Sequence, residues 1–161
     1  MIMEKTLIIY YSYEGSTERI ANYLSEKLSF DIEKITPVNE KKRSGFSKYI
    51  WGGREATMKK KPMLNPIKSN FDEYDTVLMG SPIWAGTMTP PIYFLLEGGM
   101  IKDKKIGFFY CSGGGAGKAE ERIRASIEKH NKFLSSLHLI KVYEDFDKTK
   151  EEALNWANEI L

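Results

Sequence analysis

The stretch KTLIIYYSYEGSTERIANYLSEKL, running from Lys5 to Leu28, decides the fold. Lys5 to Tyr11 is a short apolar run rich in β formers, which predicts a buried strand. From Ser16 to Leu28 the pattern changes, and Ile20, Ala21, Leu24 and Leu28 recur at helical spacing. A buried strand that passes through a short loop into a helix is the opening of a βαβ unit.

The same rhythm continues along the chain. Phe30 to Thr36 reads as a second strand, closed by Pro37. Lys41 to Lys61 is a basic, partly helical insert containing Gly52 and Gly53, and Pro62 and Pro66 mark a loop. Thr76 to Gly80 (TVLMG) is a third buried strand. Pro90 to Gly98 is a helix with proline in its first turn. Lys105 to Cys111 (KIGFFYC) is a fourth strand, Ala119 to Leu134 a helix, Leu137 to Tyr143 a fifth strand, and Lys148 to Leu161 a last helix. Five strands alternating with helices predict an α/β fold, a doubly wound parallel sheet with right-handed crossovers. The 161 residues fit a single domain, 1–161.

Composition narrows the function classes. Hydrophobic residues make up 42% and charged residues 29%, ordinary for a soluble globular chain, and no apolar run approaches a membrane span. With no signal-peptide core, a cytoplasmic location is expected. The single cysteine, Cys111, excludes an internal disulfide and fits a reducing compartment. One cysteine and two histidines, His130 and His138, leave the chain poor in zinc ligands. The net charge of +2 hides an asymmetry: residues 41–61 hold eight Lys or Arg against Glu55, whereas residues 144–161 hold six acids against two lysines. These are two solvated faces, or the basic segment steers an acidic partner or an anionic cofactor. Neither a nucleic-acid nor a membrane partner is expected.

In a doubly wound sheet, ligands bind beyond the carboxyl ends of the strands, near the switch in strand order. Function should therefore sit after the first, third and fourth strands, where three unusual loops fall. The first is Ser12-Tyr13-Glu14-Gly15-Ser16-Thr17. Its three hydroxyls flank a glycine at a helix start, whose free N–H groups suit a phosphate. An ordinary helix cap needs only one of those hydroxyls. The second loop, Gly80 to Pro91, carries Pro82-Ile83-Trp84-Ala85-Gly86. Trp84 is placed to stack on a flat ring or to pack over a neighbouring helix. A peptide at Gly86 is free to turn a carbonyl or an N–H toward a ligand. The third loop, Ser112-Gly113-Gly114-Gly115 with Ala116-Gly117-Lys118 after it, leaves amides uncovered for the polar edge of a ring. It fails the Walker A pattern at Ser112 and Ala119, and the dinucleotide pattern at Lys118.

Taken together, KTLIIYYS followed by YEGSTERIA, YDTVLMGSPIWAGTMTPPI, and IGFFYCSGGGAG resemble the three flavin loops of the flavodoxin family. The resemblance spans nearly the whole chain. It implies strand order 2-1-3-4-5 and one non-covalent flavin mononucleotide (FMN). By position, Ser12, Tyr13, Glu14, Gly15, Ser16 and Thr17 would hold the phosphate. Pro82, Ile83, Trp84, Ala85 and Gly86 would line the isoalloxazine and ribityl chain, and Ser112, Gly113, Gly114 and Gly115 would edge the pyrimidine side. Many flavodoxins carry an aromatic in the third loop, whereas this one has only Ser and Gly; one ring face is then open, or covered by Tyr13 or Trp51. Many are also strongly acidic, and this chain is slightly basic.

The function so implied is a low-potential electron carrier working with redox partner proteins. The alternative is a flavin-dependent NAD(P)H or quinone reductase on the same fold, to which an open ring face would give access. A phosphoacceptor domain needs acids after the first strand and an aspartate ending the third, where this chain has Ser12-Tyr13 and Ser81-Pro82. No catalytic constellation is expected: Cys111 ends a buried strand, His130 and His138 lie far from the loops in sequence, and Trp156 belongs to the core.

Overall fold

Alternation along β1 (Thr6–Tyr10) sets the layering. In this computed structural model, which describes residues 4–38 and 62–161, Ile8 and Tyr10 enter one core and Ile9, with Tyr11, enters the other. Burial on both faces is why the strand reads as a continuous apolar run. Leu7, Ile8 and Ile9 are fully buried, each worth about 1.5–3 kcal/mol relative to exposure.

Beside β1 lie β2 (Asp31–Lys34) and β3 (Thr76–Trp84), both parallel to it. A two-residue strand, β4 (Thr87–Met88), folds back antiparallel on the end of β3. β5 (Lys105–Ser112) and β6 (Lys132–Ile140) complete the sheet, in the order β2-β1-β3-β5-β6. With the small β4 set aside, the five long strands run 2-1-3-4-5, as expected.

Helices cover both faces. Helix α1 (Ser16–Leu28) contributes Ile20, Ala21 and Leu24 to one core. Helix α4 (Phe146–Ile160) adds Ala153, Trp156 and Ala157 to the same core. On the opposite face, α2 (Pro90–Glu97) brings Ile92, Leu95 and Leu96. Helix α3 (Ala119–Glu128) brings Ala119, Ile123 and Ile127 beside them. At Gly80 the backbone lets α1 lie close to the sheet: a Cβ there would stand 2.4 Å from the Phe109 ring and 3.0 Å from Thr17 Cγ2.

Three elements depart most from the sequence reading. The third strand runs on from Gly80 to Trp84, so the start of the second loop is strand, paired with β5 as far as Pro82–Cys111. Helix α3 stops at Glu128 rather than Leu134, and the last strand is Lys132–Ile140 rather than Leu137–Tyr143. Asn131 makes the switch: its amide donates to Ile101 O at 2.9 Å and its side-chain oxygen accepts from Lys104 N at 3.0 Å. A bulge then leaves Leu134 without a partner, since Ile106 faces Phe133 and Gly107 faces Ser135. That extra residue breaks the two-residue period and hides the strand in the sequence. The basic insert, including Trp51, lies outside the described residues.

Candidate functional site

A cleft of about 270 Å³ opens beyond the carboxyl ends of β1, β3 and β5. Its lining joins Ser12, Tyr13, Glu14, Ser16 and Thr17 from the first loop to Pro82, Ile83 and Trp84 from the second and to Ser112 and Gly113 from the third. Gly15, Ala85, Gly86, Gly114 and Gly115 belong to the same loops but stand outside that lining. Cys111 lies in the wall as well. Its burial pushes the thiol up to about 12, so it is a neutral wall group.

The first loop is built to leave donors free. Gly15 sits at the N-cap of α1 with φ of 108°, in the left-handed region that glycine tolerates. No side chain caps the helix, so the amides of its first turn lack partners within it. Ser12 Oγ instead accepts from Gly15 N at 3.1 Å, folding the loop on itself. Thr17 is 1% exposed, and its Oγ1 has no hydrogen-bond partner. Its neighbour is the Cys111 sulfur, a weak acceptor that does not satisfy the hydroxyl. A buried hydroxyl with no partner costs about 1–3 kcal/mol. Thr17 lines the cleft, beside an uncapped helix start that favours an anion.

The second loop is a hairpin end. Ser81 Oγ accepts from Thr89 N at 3.0 Å and shares a proton with Thr89 Oγ1 at 2.8 Å, which closes its base. At its tip Ala85 and Gly86 both have positive φ, 52° and 72°, the pattern of a two-residue type I′ turn. Arg122 Nη1 on α3 donates to both tip carbonyls, at 3.3 Å to Ala85 and 3.0 Å to Gly86. Those carbonyls are thus engaged by α3. Trp84 is half-buried, with edge contacts to Tyr11 and Tyr13 at centroid separations of 5.8 and 5.6 Å. Tyr13 is itself buried in that packing.

In the third loop, a Cβ placed on Gly113, Gly114 or Gly115 would meet no atom within 4 Å. Ser112 anchors this run, through its own hydroxyl and through its carbonyl, which accepts from Lys141 N at 2.9 Å. The sequence reading missed what lies on the other end of that bond. Lys141, Val142, Tyr143 and Glu144, following β6, form a fourth wall of the cleft. Tyr143 Oη donates to Glu14 O, closing a link between the fourth wall and the first loop. His138, expected far from the loops, reaches Ser112. The signal for these residues was the register of β6 against β5, which the bulge at Leu134 concealed.

The arrangement suits a long, flat molecule with an anionic end: donors at the α1 terminus, an indole along the wall, and a glycine run at the third loop whose Gly114 amide is held by Ser112 Oγ. Among the described residues no three His, Cys, Asp or Glu side chains gather to hold a metal ion. Nor is any described helix long and apolar enough to cross a membrane.

A family model described as flavodoxin matches residues 5–160. Among solved structures, the chain is similar to a flavoprotein in complex with FMN from Lactobacillus acidophilus NCFM, at 21% identity and a TM-score of 0.73, covering 91% of this chain and 99% of that one. It is also similar to a Bacteroides uniformis ATCC 8492 protein provisionally described as a flavoprotein, at 23% identity and a TM-score of 0.77, covering 96% and 98%. A flavone reductase shares the fold at 14% identity and a TM-score of 0.59, over 97% of this chain and 61% of its own.

Proposed function

The chain belongs to the flavodoxin family, and from that premise we propose that it binds FMN in the four-walled cleft and acts as a low-potential electron carrier. One observation carries the reading: the buried, unpartnered Thr17 hydroxyl at an uncapped helix start. The residues present fit FMN. Ser12, Tyr13, Glu14, Gly15, Ser16 and Thr17 hold its phosphate with hydroxyls and amides. Pro82 to Gly86 flank the ring and ribityl chain, with Trp84 against the ring. Ser112 to Gly115 offer backbone amides to its polar edge.

FMN supplies the reversible electron chemistry; the chain binds, orients and shields it. The phosphate loop offers neutral donors and Glu14, so negative charge stays near the ring and opposes added electrons. Lys141 in the fourth wall is paired with Glu144 of the same wall at 3.7 Å, so that wall offsets little of this charge. The partners of this reading are redox proteins, with neither nucleic acid nor a membrane surface involved, in a cytoplasmic setting.

A second reading, an NAD(P)H or quinone reductase, is favoured by the open space around Gly113, Gly114 and Gly115. Hydride transfer needs one ring face accessible. Two measurements test both readings. Titration of the purified protein with FMN, followed by quenching of flavin fluorescence, should show saturable uptake; no uptake sinks the flavin reading. Steady-state assays with NADH, NADPH and a quinone should show slow turnover without an added reductase. Rapid turnover would replace the carrier with the reductase.

A further inference from the structure

Ser112 Oγ stands among three polar atoms: His138 Nε2 at 2.5 Å, Gly114 O at 2.8 Å and Gly114 N at 3.3 Å. The hydroxyl has one proton and two acceptors that compete for it. With Nε2 bare, the proton goes to the imidazole, and Gly114 O is left facing a lone pair. With hydrogen on Nε2, the imidazole donates to Ser112 Oγ, and the Ser112 proton holds Gly114 O. An imidazolium carries hydrogen on both nitrogens and so enforces the second arrangement.

The surroundings direct the response into the loop. The His138 ring stacks on Tyr110 at 4.7 Å and 15°, fixed by the β5–β6 register. The Ser112 main chain is tied to Lys141 N. Gly113, Gly114 and Gly115 have open space around them, so they are the part free to move.

We propose that His138 is a positioning residue for the third loop, whose proton, relayed through Ser112, decides whether the Gly114 carbonyl is held and so how the loop amides meet the flavin ring. This rests on the FMN reading given above. The loop is pinned on the acid side, and on the neutral side it is released in the tautomer that leaves Nε2 bare. Burial lowers the His138 pKa below its ordinary value, so the change falls below about pH 6.5. Charged and titratable groups face the imidazole from β5, β6, α3, α4 and the turn between β6 and α4. Tyr110 on β5 is raised above its ordinary range by burial and by Glu120 of α3. Glu120 accepts from Ser136 of β6 at 3.1 Å. On the outer side, Lys141, Glu144 and Asp145 of the turn and Lys148 and Glu152 of α4 line the groove beside His138. Two ion pairs join them, Lys141–Glu144 at 3.7 Å and Lys148–Glu152 at 3.8 Å.

The test uses riboflavin, because the FMN phosphate itself titrates at about pH 6. Riboflavin should bind the wild-type protein about threefold or more tightly at about pH 5 than at about pH 7.5, the effect of one modest hydrogen bond. That dependence should vanish in His138→Gln and in Ser112→Ala and persist in His130→Gln, which removes the other imidazole. A flat wild-type profile, or an unchanged profile in both loop variants, overturns the proposal. A second arm needs no flavin: in the ligand-free protein, Ser112→Ala should shift the NMR titration of the His138 ring. An unmoved titration overturns the coupling whatever the flavin data show. Failure of the wild-type protein to take up FMN or riboflavin at any pH would instead sink the FMN reading, leaving the NMR arm to decide the coupling.

Discussion

Thr17 is a residue whose ligand-free state is the poorer one. Its hydroxyl is buried and unpartnered, a cost that a bound phosphate would remove. Thr17→Val keeps the shape and discards the hydroxyl. In chemical denaturation the ligand-free variant should be more stable than wild type by up to about 1 kcal/mol. Its FMN Kd should rise about tenfold or more, the worth of a hydrogen bond to a charged group, with riboflavin affinity nearly unchanged. Equal losses for FMN and riboflavin would place Thr17 away from the phosphate. The residues of the first loop were legible in the sequence because their signal is local: hydroxyls, a glycine and a helix start adjoin one another. Tyr143 and His138 were not. Tyr143 meets Glu14 across 129 positions and His138 meets Ser112 across 26, and no local pattern encodes such a meeting.

At the scale of elements, the sheet and α1 depend on one missing side chain. A Cβ at Gly80 would overlap the Phe109 ring, which is itself fully buried and cannot swing away. Gly80→Ala should therefore destabilise the protein by about 1–3 kcal/mol in a denaturant melt, as overpacked cores do. An unchanged midpoint would mean that the Phe109 ring and α1 both give way freely. The β3–β4 hairpin points the other way. Ala85 holds a φ of 52° at a turn position that favours Asn. Ala85→Asn should stabilise by about 0.5–1 kcal/mol, read in the same melts, while Arg122 keeps its grip on the tip. A loss of stability would show that the alanine methyl packs in a way the turn needs. The long strands β1, β3 and β5 were legible from their apolar runs because both faces are covered. β6 is half-buried along most of its length and carries the bulge, so its pattern was shared between helix and strand.

For the whole molecule, the cleft is a property of the assembled sheet. Its walls come from the ends of β1, β3 and β5 and from the turn after β6. They span Ser12 to Glu144, so only the assembled sheet brings them together. Flavin release and loss of helical circular dichroism should therefore coincide in a denaturant titration of the FMN-loaded protein. Release well before the helical signal falls would mean that one wall opens independently. The bond from Tyr143 to the Glu14 carbonyl has a further meaning in time. The first loop is made first and its partner 129 residues later. A nascent chain thus carries its anion-binding turn unfinished until Tyr143 has been made. Cofactor loading becomes a step that follows synthesis of Tyr143, and a ribosome-bound chain halted before that residue should remain colourless.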